Sequence, residues 1–187
     1  MEEKKYPRVT KILSESGLID LSYINEDILT RAGGFGTACH EACRLNDLNN
    51  LNEATLDPAL KSYLDAWIKF SKDSLLENIE IEQKVSSERY QYRGTPDRIS
   101  LFKGKITVID IKTGQIYPSA AIQTAAYLEA YNESRPRTKR AKERLIIQLC
   151  EDGTYRLPNA DFFNKSDFSV FLACLTITNY KKRKGIK

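Results

Sequence analysis

The 187-residue sequence contains no long hydrophobic run, no grouped cysteines and only one histidine. No segment approaches the roughly 20 apolar residues that a transmembrane helix requires. The charged N-terminal segment MEEKKYPRV is followed by no apolar stretch, so we expect no signal peptide. These absences favour a protein that stays in the cytoplasm and does not associate with a membrane.

The cysteines form no CxxC pair. In a cytoplasmic chain we expect them to be reduced, and free cysteines usually behave as small buried apolar residues. The sequence therefore predicts structural roles for Cys39, Cys43, Cys150 and Cys174.

Glycine-rich phosphate-binding motifs are also missing. Residues 32–36 read Ala-Gly-Gly-Phe-Gly, but their spacing does not match the dinucleotide fingerprint, and no Gly-Lys-Ser/Thr of a P-loop follows. We interpret this segment as a loop between two helices.

The net charge of +4, from 29 Lys and Arg against 25 Asp and Glu, is only mildly basic. The basic residues are nevertheless grouped. Such groups are usually solvated faces or tails, but beside a metal site they would attract a phosphate backbone. The two groups are Arg135, Arg137, Lys139, Arg140, Lys142 and Arg144, and then Lys181, Lys182, Arg183, Lys184 and Lys187.

Apolar periodicity and capping residues predict six helices. Ser22 or Asn25 can cap the second helix, and Asp57-Pro58 opens the fourth, whose buried stripe begins at Leu60. The fourth helix packs Leu60, Leu64, Trp67 and Phe70 into the core rather than against bases. The predicted ranges are 9–17, 25–32, 37–48, 58–74, 119–132 and 166–180.

Strand patterns occupy the middle of the chain. Residues 79–85 alternate, residues 90–93 pair with them or continue into the next hairpin, and 98–102 and 105–111 flank a Lys103-Gly104 turn. A second hairpin is predicted around residues 151–153. The pattern predicts an α/β (α+β) fold, in which helices flank a mixed, mainly antiparallel central sheet. We expect one domain over residues 1–187, with a basic tail at 181–187.

The first hairpin groups three charged residues. With Phe102 opposite Lys105, the register places Asp97 opposite Asp110, and Lys112 shares the face of Asp110. Two facing carboxylates repel each other, so they share a proton or hold a cation. Oxygen ligands without thiolates suit Mg²⁺ or Mn²⁺. A bound metal with an adjacent lysine suits phosphodiester hydrolysis.

The segments Pro96-Asp97 and Asp110-Ile111-Lys112 resemble the signature of the PD-(D/E)XK nuclease superfamily. The surrounding residues resemble its RecB-like branch, in small exonuclease-like proteins of phages and prophages. They comprise Gly94-Thr95 before the signature, Thr113-Gly114 after it, Gln123 and Tyr127 on the next helix, and an upstream histidine segment, residues 36–41. The resemblance implies a restriction-endonuclease-like core, and host cytoplasm if the protein is phage-encoded.

The resemblance also implies site roles. His40, predicted near the start of its helix, and the Ile111 carbonyl would join Asp97 and Asp110 as metal ligands, with Glu82 a further candidate and Glu80 its rival. Gln123 would orient Lys112 or a phosphate, and Tyr127 would contact the strand being cut. The branch's iron–sulfur members carry a C-terminal cysteine trio that is missing here, so no cluster is expected.

The charged cluster and the resemblance together predict a divalent-metal-dependent DNA nuclease. The resemblance favours an exonuclease that serves phage or bacterial recombination or repair. A silent nucleic-acid-binding protein, a structure-specific endonuclease and a hydrolase of small phosphorylated molecules stay open. DNA is the expected partner, with an annealing protein, a helicase or further copies of the chain as others. Tyr90 and Tyr92 are candidates for stacking on unpaired bases. The expected DNA-contacting residues are Arg93, Arg135, Arg137, Lys139, Arg140, Lys181, Lys182 and Arg183.

Overall fold

The computed structural model describes residues 6–20 and 23–186. Its α-helices surround a sheet that is formed by the middle of the chain. The helices are α1 Val9–Glu15, α2 Glu26–Asp47, α3 Pro58–Asp73, α4 Ser119–Glu133 and α5 Asp167–Lys184. The strands are β1 Glu77–Ile81, β2 Val85–Ser87, β3 Tyr92–Gly94, β4 Arg98–Phe102, β5 Lys105–Lys112, β6 Glu143–Leu149 and β7 Tyr155–Arg156.

The central sheet has five strands in the order β1-β4-β5-β6-β7. β5 and β6 are parallel, and the other neighbouring strands are antiparallel. α4 makes the crossover between the two parallel strands, as such a pairing requires. β2 and β3 form a separate antiparallel pair. The mixed, mainly antiparallel sheet confirms the predicted fold class.

The β4–β5 hairpin has the predicted turn and register. Lys103 and Gly104 have φ values of 48° and 74°, the left-handed conformations of a type I′ turn. Phe102 pairs with Lys105, and Arg98 pairs with Ile109. One step further out, the register aligns residue 97 with residue 110, although residue 97 precedes β4.

A separate apolar cluster covers each face of the sheet. Ile99 and Val108 pack with residues of α1, α4 and α5 on one face. Ile109 and Ile111 pack with residues of α2 and α3 on the other. This alternation places Asp110 on the α4 face.

The predicted loop at residues 32–36 is wrong, because α2 runs without interruption from Glu26 to Asp47. Asn25 caps it by accepting a hydrogen bond from the Asp27 amide, whereas Ser22 lies outside the described residues. Each interior glycine costs about 1 kcal/mol relative to alanine. The buried C-terminal half of the helix, around Cys43, offsets that cost by packing.

The predicted strand at residues 79–85 is also wrong in extent. β1 ends at Ile81, and Glu82 has a φ of 50°, which separates it from β2. A bulge between Asn78 and Glu80 breaks the alternation. As a result Ile79, predicted on the side of Ile81, is 47% exposed.

The other predicted elements lie close to their expected positions. Asp57 caps α3, with Pro58 as its first residue. The basic residues 181–184 form the last turn of α5, which Gly185 caps, and Lys187 lies outside the described residues. Among the described helices, none combines the length and apolarity needed to cross a membrane.

Candidate active site

Asp97 connects the sheet to α2. One carboxylate oxygen, Oδ2, accepts a hydrogen bond of 2.6 Å from the Ile111 amide on β5. The other, Oδ1, lies 3.0 Å from Nδ1 of His40. His40 was expected near the start of its helix, but it lies well inside α2 because the helix begins at Glu26. The contact still brings the only histidine of the sequence against Asp97.

Asp110 lies on β5 with its side chain 4% exposed and 2.7 Å from Nζ of Lys112. This distance confirms that the two residues share one face of the strand. The other oxygen of Asp110, Oδ1, accepts a 3.0 Å hydrogen bond from Nε2 of Gln123 on α4. The buried carboxylate is therefore held from two directions.

Gln123 joins three polar side chains. Its Nε2 donates to the Tyr127 hydroxyl at 2.9 Å as well as to Asp110. Its Oε1 accepts from Nζ of Lys112 at 3.4 Å. Because residues 123 and 127 lie one turn apart on α4, the helix presents both to the end of β5. Burial raises the pKa of Tyr127, with the nearby charge of Asp110 acting in the same direction.

The charges of this cluster compensate one another. Burial raises the pKa of Asp110. Lys112 acts to lower this pKa, whereas the charge of Asp97 acts to raise it further. Burial also acts to raise the pKa of Asp97, but His40, the Ile111 amide and Lys112 outweigh it and lower that pKa. The two carboxylates in turn raise the pKa of His40 and of Lys112, although burial opposes both shifts.

In the part of the chain that the structure describes, no three His, Cys, Asp or Glu side chains converge tightly enough to hold a metal by themselves. Both oxygens of each aspartate contact the protein's own groups. The donor set nevertheless fits a hard divalent cation, because the buried carboxylate of Asp110, the half-buried carboxylate of Asp97 beside it and a strand carbonyl favour oxygen coordination. A cation could take the place of Lys112 at Asp110, and it could bind both Asp97 and His40 in place of their direct contact.

Glu82 lies beside this cluster without joining it. Its amide donates to the carbonyl of Asp97 at 3.0 Å, and its carboxylate lies 3.8 Å from Nε of Arg44. Arg44 in turn binds Glu41 through two hydrogen bonds of 2.7 Å. Glu41 is therefore directed toward Arg44, whereas Glu82 contacts Asp97 through its backbone amide.

Glu80, the rival candidate, contacts a different part of the molecule. Its carboxylate lies 2.7 Å from Arg135, whose guanidinium stacks on the Tyr131 ring with 3.7 Å between its Cζ and the ring centroid. Arg140 donates to the carbonyl of Arg135 at 3.0 Å. Part of the predicted basic cluster is therefore occupied by intramolecular contacts, whereas Arg137 and Lys139 are exposed.

Tyr92 does not take the suggested base-stacking role. It is fully buried, and its hydroxyl donates to the carbonyl of Ala126 at 2.8 Å. Tyr90 packs its ring edge-to-face against Phe168, with centroids 5.4 Å apart. The side of β3 that carries Tyr92 packs on α4 and α5.

The sequence interpretation missed a buried ion pair behind Asp97. Arg98 is 1% exposed and lies 2.7 Å from Asp47, and its Nη1 donates to the Asp97 carbonyl at 2.7 Å. Trp67 donates from Nε1 to Asp47 at 2.8 Å, and its ring faces the guanidinium. The network thus fixes the backbone of Asp97. Arg98 is the first residue of β4, and nothing near it in sequence indicates Asp47 as its partner.

Gly94 makes the closest backbone approach at the site. A Cβ atom there would lie 2.3 Å from Cε1 of Tyr127 and 3.3 Å from the side chain of Val9. The glycine of the Gly94-Thr95-Pro96-Asp97 segment therefore allows α4 to pack against β3. The packing places Tyr127 where it can bind Gln123.

The cysteines lie outside the polar cluster as free thiols. Cys39, Cys43 and Cys174 are buried, and Cys150 is half-buried. Burial raises the pKa of Cys39 to about 11, so its thiol stays protonated at neutral pH. These environments agree with the structural roles expected from the sequence.

The family model of the PD-(D/E)XK nuclease superfamily matches residues 26–167. No curated protein matches the sequence. The match extends from the start of α2 to the start of α5 and includes every residue of the polar cluster. Because it covers well over half of the 187 residues, the chain belongs to the PD-(D/E)XK nuclease superfamily.

Proposed function

We propose that this protein is a divalent-metal-dependent deoxyribonuclease, an exonuclease of the RecB-like branch that serves phage or bacterial DNA recombination or repair. Membership in a nuclease superfamily supports hydrolysis of phosphodiester bonds. The observation that carries the proposal is the buried Asp110 carboxylate, held between Lys112 at 2.7 Å and Gln123 at 3.0 Å. A surface hairpin without a site would leave these groups in solvent.

Asp97, Asp110, the Ile111 carbonyl and His40 would hold one or two Mg²⁺ or Mn²⁺ ions, with Glu82 as a further candidate. The bound metal would lower the pKa of a water molecule and polarise the phosphoryl oxygen. The Ile111 amide donates a hydrogen bond to the Asp97 carboxylate, so this contact holds Asp97 beside β5.

Lys112 would position the attacking water and stabilise the developing negative charge. Its ammonium group is a compact cation with three donors, and its contact to Gln123 limits where it can move. Gln123 would hold the side chains of Lys112 and Asp110 in position. Tyr127 would support Gln123 and contact the strand being cut. No covalent enzyme intermediate is required, because water is the nucleophile.

Incubation with linear and closed circular DNA in Mg²⁺, Mn²⁺ or chelator tests the proposal. We expect metal-dependent loss of the linear substrate and persistence of the circle. Nicking of the circle would instead indicate a structure-specific endonuclease. Binding of DNA without any cleavage would reject nuclease activity and leave the silent nucleic-acid-binding protein.

That silent alternative has one specific observation in its favour. Among the described residues no three metal-binding side chains converge tightly, and the aspartates instead contact Lys112 and His40. Asp110→Asn separates the two functions. A nuclease loses cleavage but retains DNA binding, whereas a binding protein changes in neither assay. Asp65→Asn is the matched control, because Asp65 is exposed on α3. Pull-down with an annealing protein or helicase, and sedimentation for self-association, test the proposed partners.

A further inference from the structure

A groove of about 1070 Å³ adjoins the candidate active site. Tyr127, Gly94 and Glu82 belong to its lining, and so do Arg8 and Arg93. A second groove of about 720 Å³ shares residues with the first and continues between α1 and the C-terminal end of α5. The shared residues are Tyr6, Arg8 and Arg93.

Positive charge follows the two grooves together. Arg8 is exposed, and the second groove adds Lys11, Lys181 and Lys182. No ion pair with a carboxylate of residues 6–20 or 23–186 involves Arg8, Arg93 or Lys182. Lys181 donates to the backbone carbonyl of Glu15 at 3.0 Å, which ties α5 to α1.

The acidic residues of the grooves are partly compensated. Glu15 lies 3.4 Å from Lys11, and Glu88 accepts a 2.8 Å hydrogen bond from the Tyr6 hydroxyl. Arg93 is held in place because its Nε donates to the Tyr6 carbonyl at 2.9 Å. The joined grooves therefore present two cations held by backbone carbonyls, Arg93 and Lys181, together with the exposed side chains of Arg8 and Lys182 and the ring of Tyr6.

We infer that these joined grooves are the track along which one unpaired nucleic acid strand reaches the candidate active site, with Arg8, Arg93 and Lys182 contacting its phosphates. This inference rests on the proposed nuclease function and adds the class of substrate. Cationic grooves that carry an aromatic side chain, here Tyr6, suit single strands, since phosphates bind the cations and a base stacks on the ring.

The size of the grooves supports a single strand. Pockets of about 300–1,000 Å³ enclose one drug-sized ligand, so each groove accommodates a few nucleotides. The strand would pass Arg93 before reaching Tyr127 and Gly94, which line the part of the first groove next to the polar cluster.

The track differs from the basic surface at residues 135–140. There Arg135 pairs with Glu80 and stacks on Tyr131, so it is not free to bind phosphate. Arg93 and Lys182, which the sequence also suggested, lie in the joined grooves instead.

Fluorescence anisotropy with a labelled 12-nucleotide single strand, in chelator, tests the track without cleavage. The variant is Arg8→Glu with Lys182→Glu, two exposed residues that form no described ion pair. We expect its Kd to rise at least about tenfold. We also expect the slope of log K against log salt to fall by about 1.4, because each lost single-strand phosphate contact removes about 0.7.

The matched control is Lys69→Glu with Lys72→Glu, which makes the same charge change on α3, across the sheet from α1 and α5. We expect its Kd to stay within about twofold of wild type. Charges on α3 lie far from the grooves, and salt screens their attraction for the DNA strand. A loss equal to that of the groove variant would overturn the track. A greater loss in Arg137→Glu with Lys139→Glu would place the strand on the other basic surface.

Competition with an unlabelled blunt duplex tests strandedness. Weaker competition by the duplex than by the same single strand supports the inference, and equal or stronger competition overturns it. Hydrolysis of bis(p-nitrophenyl) phosphate by the wild-type protein in Mn²⁺ tests the chemistry separately. If the protein does not hydrolyse this substrate but the groove variant binds DNA more weakly, the nuclease proposal is rejected and the track is kept. If the protein hydrolyses the substrate but the groove variant binds DNA as well as wild type, the track is rejected and the nuclease proposal is kept.

Discussion

Gly94 and Tyr127 fit together only because residue 94 has no side chain, since a Cβ there would lie 2.3 Å from Cε1 of the tyrosine ring. Tyr127 is 4% exposed and binds Gln123 at 2.9 Å. The glycine therefore controls the position of α4 relative to β3. Through α4 it also sets the distance between Gln123 and Asp110.

Gly94→Ala is expected to destabilise the fold by about 1–3 kcal/mol, the usual cost of overpacking a core. Cleavage should fall further than stability explains, because displacing Tyr127 moves Gln123. Urea unfolding and cleavage of linear DNA measure the two effects. Gly114→Ala is the control, since its Cβ meets no atom within 4 Å. Equal behaviour of the two variants would contradict the packing role.

Arg98 and Asp47 form a second relationship that can be measured. Arg98→Met leaves the 7% exposed carboxylate of Asp47 without its cation, and breaking a buried pair costs about 3–5 kcal/mol. Adding Asp47→Asn removes the unpaired charge and keeps an acceptor for Trp67. We expect the double variant to be more stable than Arg98→Met alone.

Urea unfolding of the wild type, both single variants and the double variant measures this coupling. Additive losses would show that the 2.7 Å contact contributes no coupling energy. Met1 aside, the chain has no methionine, so the methyl group that Arg98→Met introduces also provides an NMR probe of the network.

The hairpin and its charged face could be predicted because the signals are local. Lys103-Gly104 fixes the turn, and the two-residue period then places Asp110 and Lys112 on one side of β5. The capping pair Asp57-Pro58 is equally local. Each of these features depends on residues that are close in sequence.

Long-range packing explains what the sequence could not give. α2 continues through its glycines because its far end is buried, and nothing near Gly33 in sequence indicates that burial. Arg98 suggests an exposed strand residue until Asp47 and Trp67, from distant helices, surround it. Tyr92 likewise becomes a core residue only when α4 and α5 cover β3.

Gln123→Ala tests whether Gln123 positions Asp110 and Lys112. Residues that orient metal ligands typically contribute 10- to 100-fold to metal affinity or activity. We therefore expect the Mn²⁺ concentration for half-maximal cleavage to rise about 10- to 100-fold, while the melting temperature changes little. A purely structural role would lower the melting temperature and leave the metal dependence unaltered.

Gln148→Ala is the matched control for this experiment. Gln148 lies on the neighbouring strand β6 and donates from Nε2 to the Gly114 carbonyl at 3.0 Å. The Gln148→Ala variant therefore also loses one side-chain amide contact near the end of β5. Its metal dependence should match wild type. Gln123→Asn should recover little, because the shortened amide no longer reaches Asp110.

Metal binding itself predicts a thermal shift that does not depend on cleavage. A ligand at about 100 times its Kd stabilises the native state by about 2.7 kcal/mol, which for a domain of this size raises Tm by about 5–10 °C. Mn²⁺ should produce this shift in the wild type, and chelator should reverse it. Asp110→Asn should abolish most of it, because the substitution removes the buried one of the two carboxylates that attract the cation. Asp65→Asn should retain it, and an equal shift in Asp110→Asn would place the metal elsewhere on the protein.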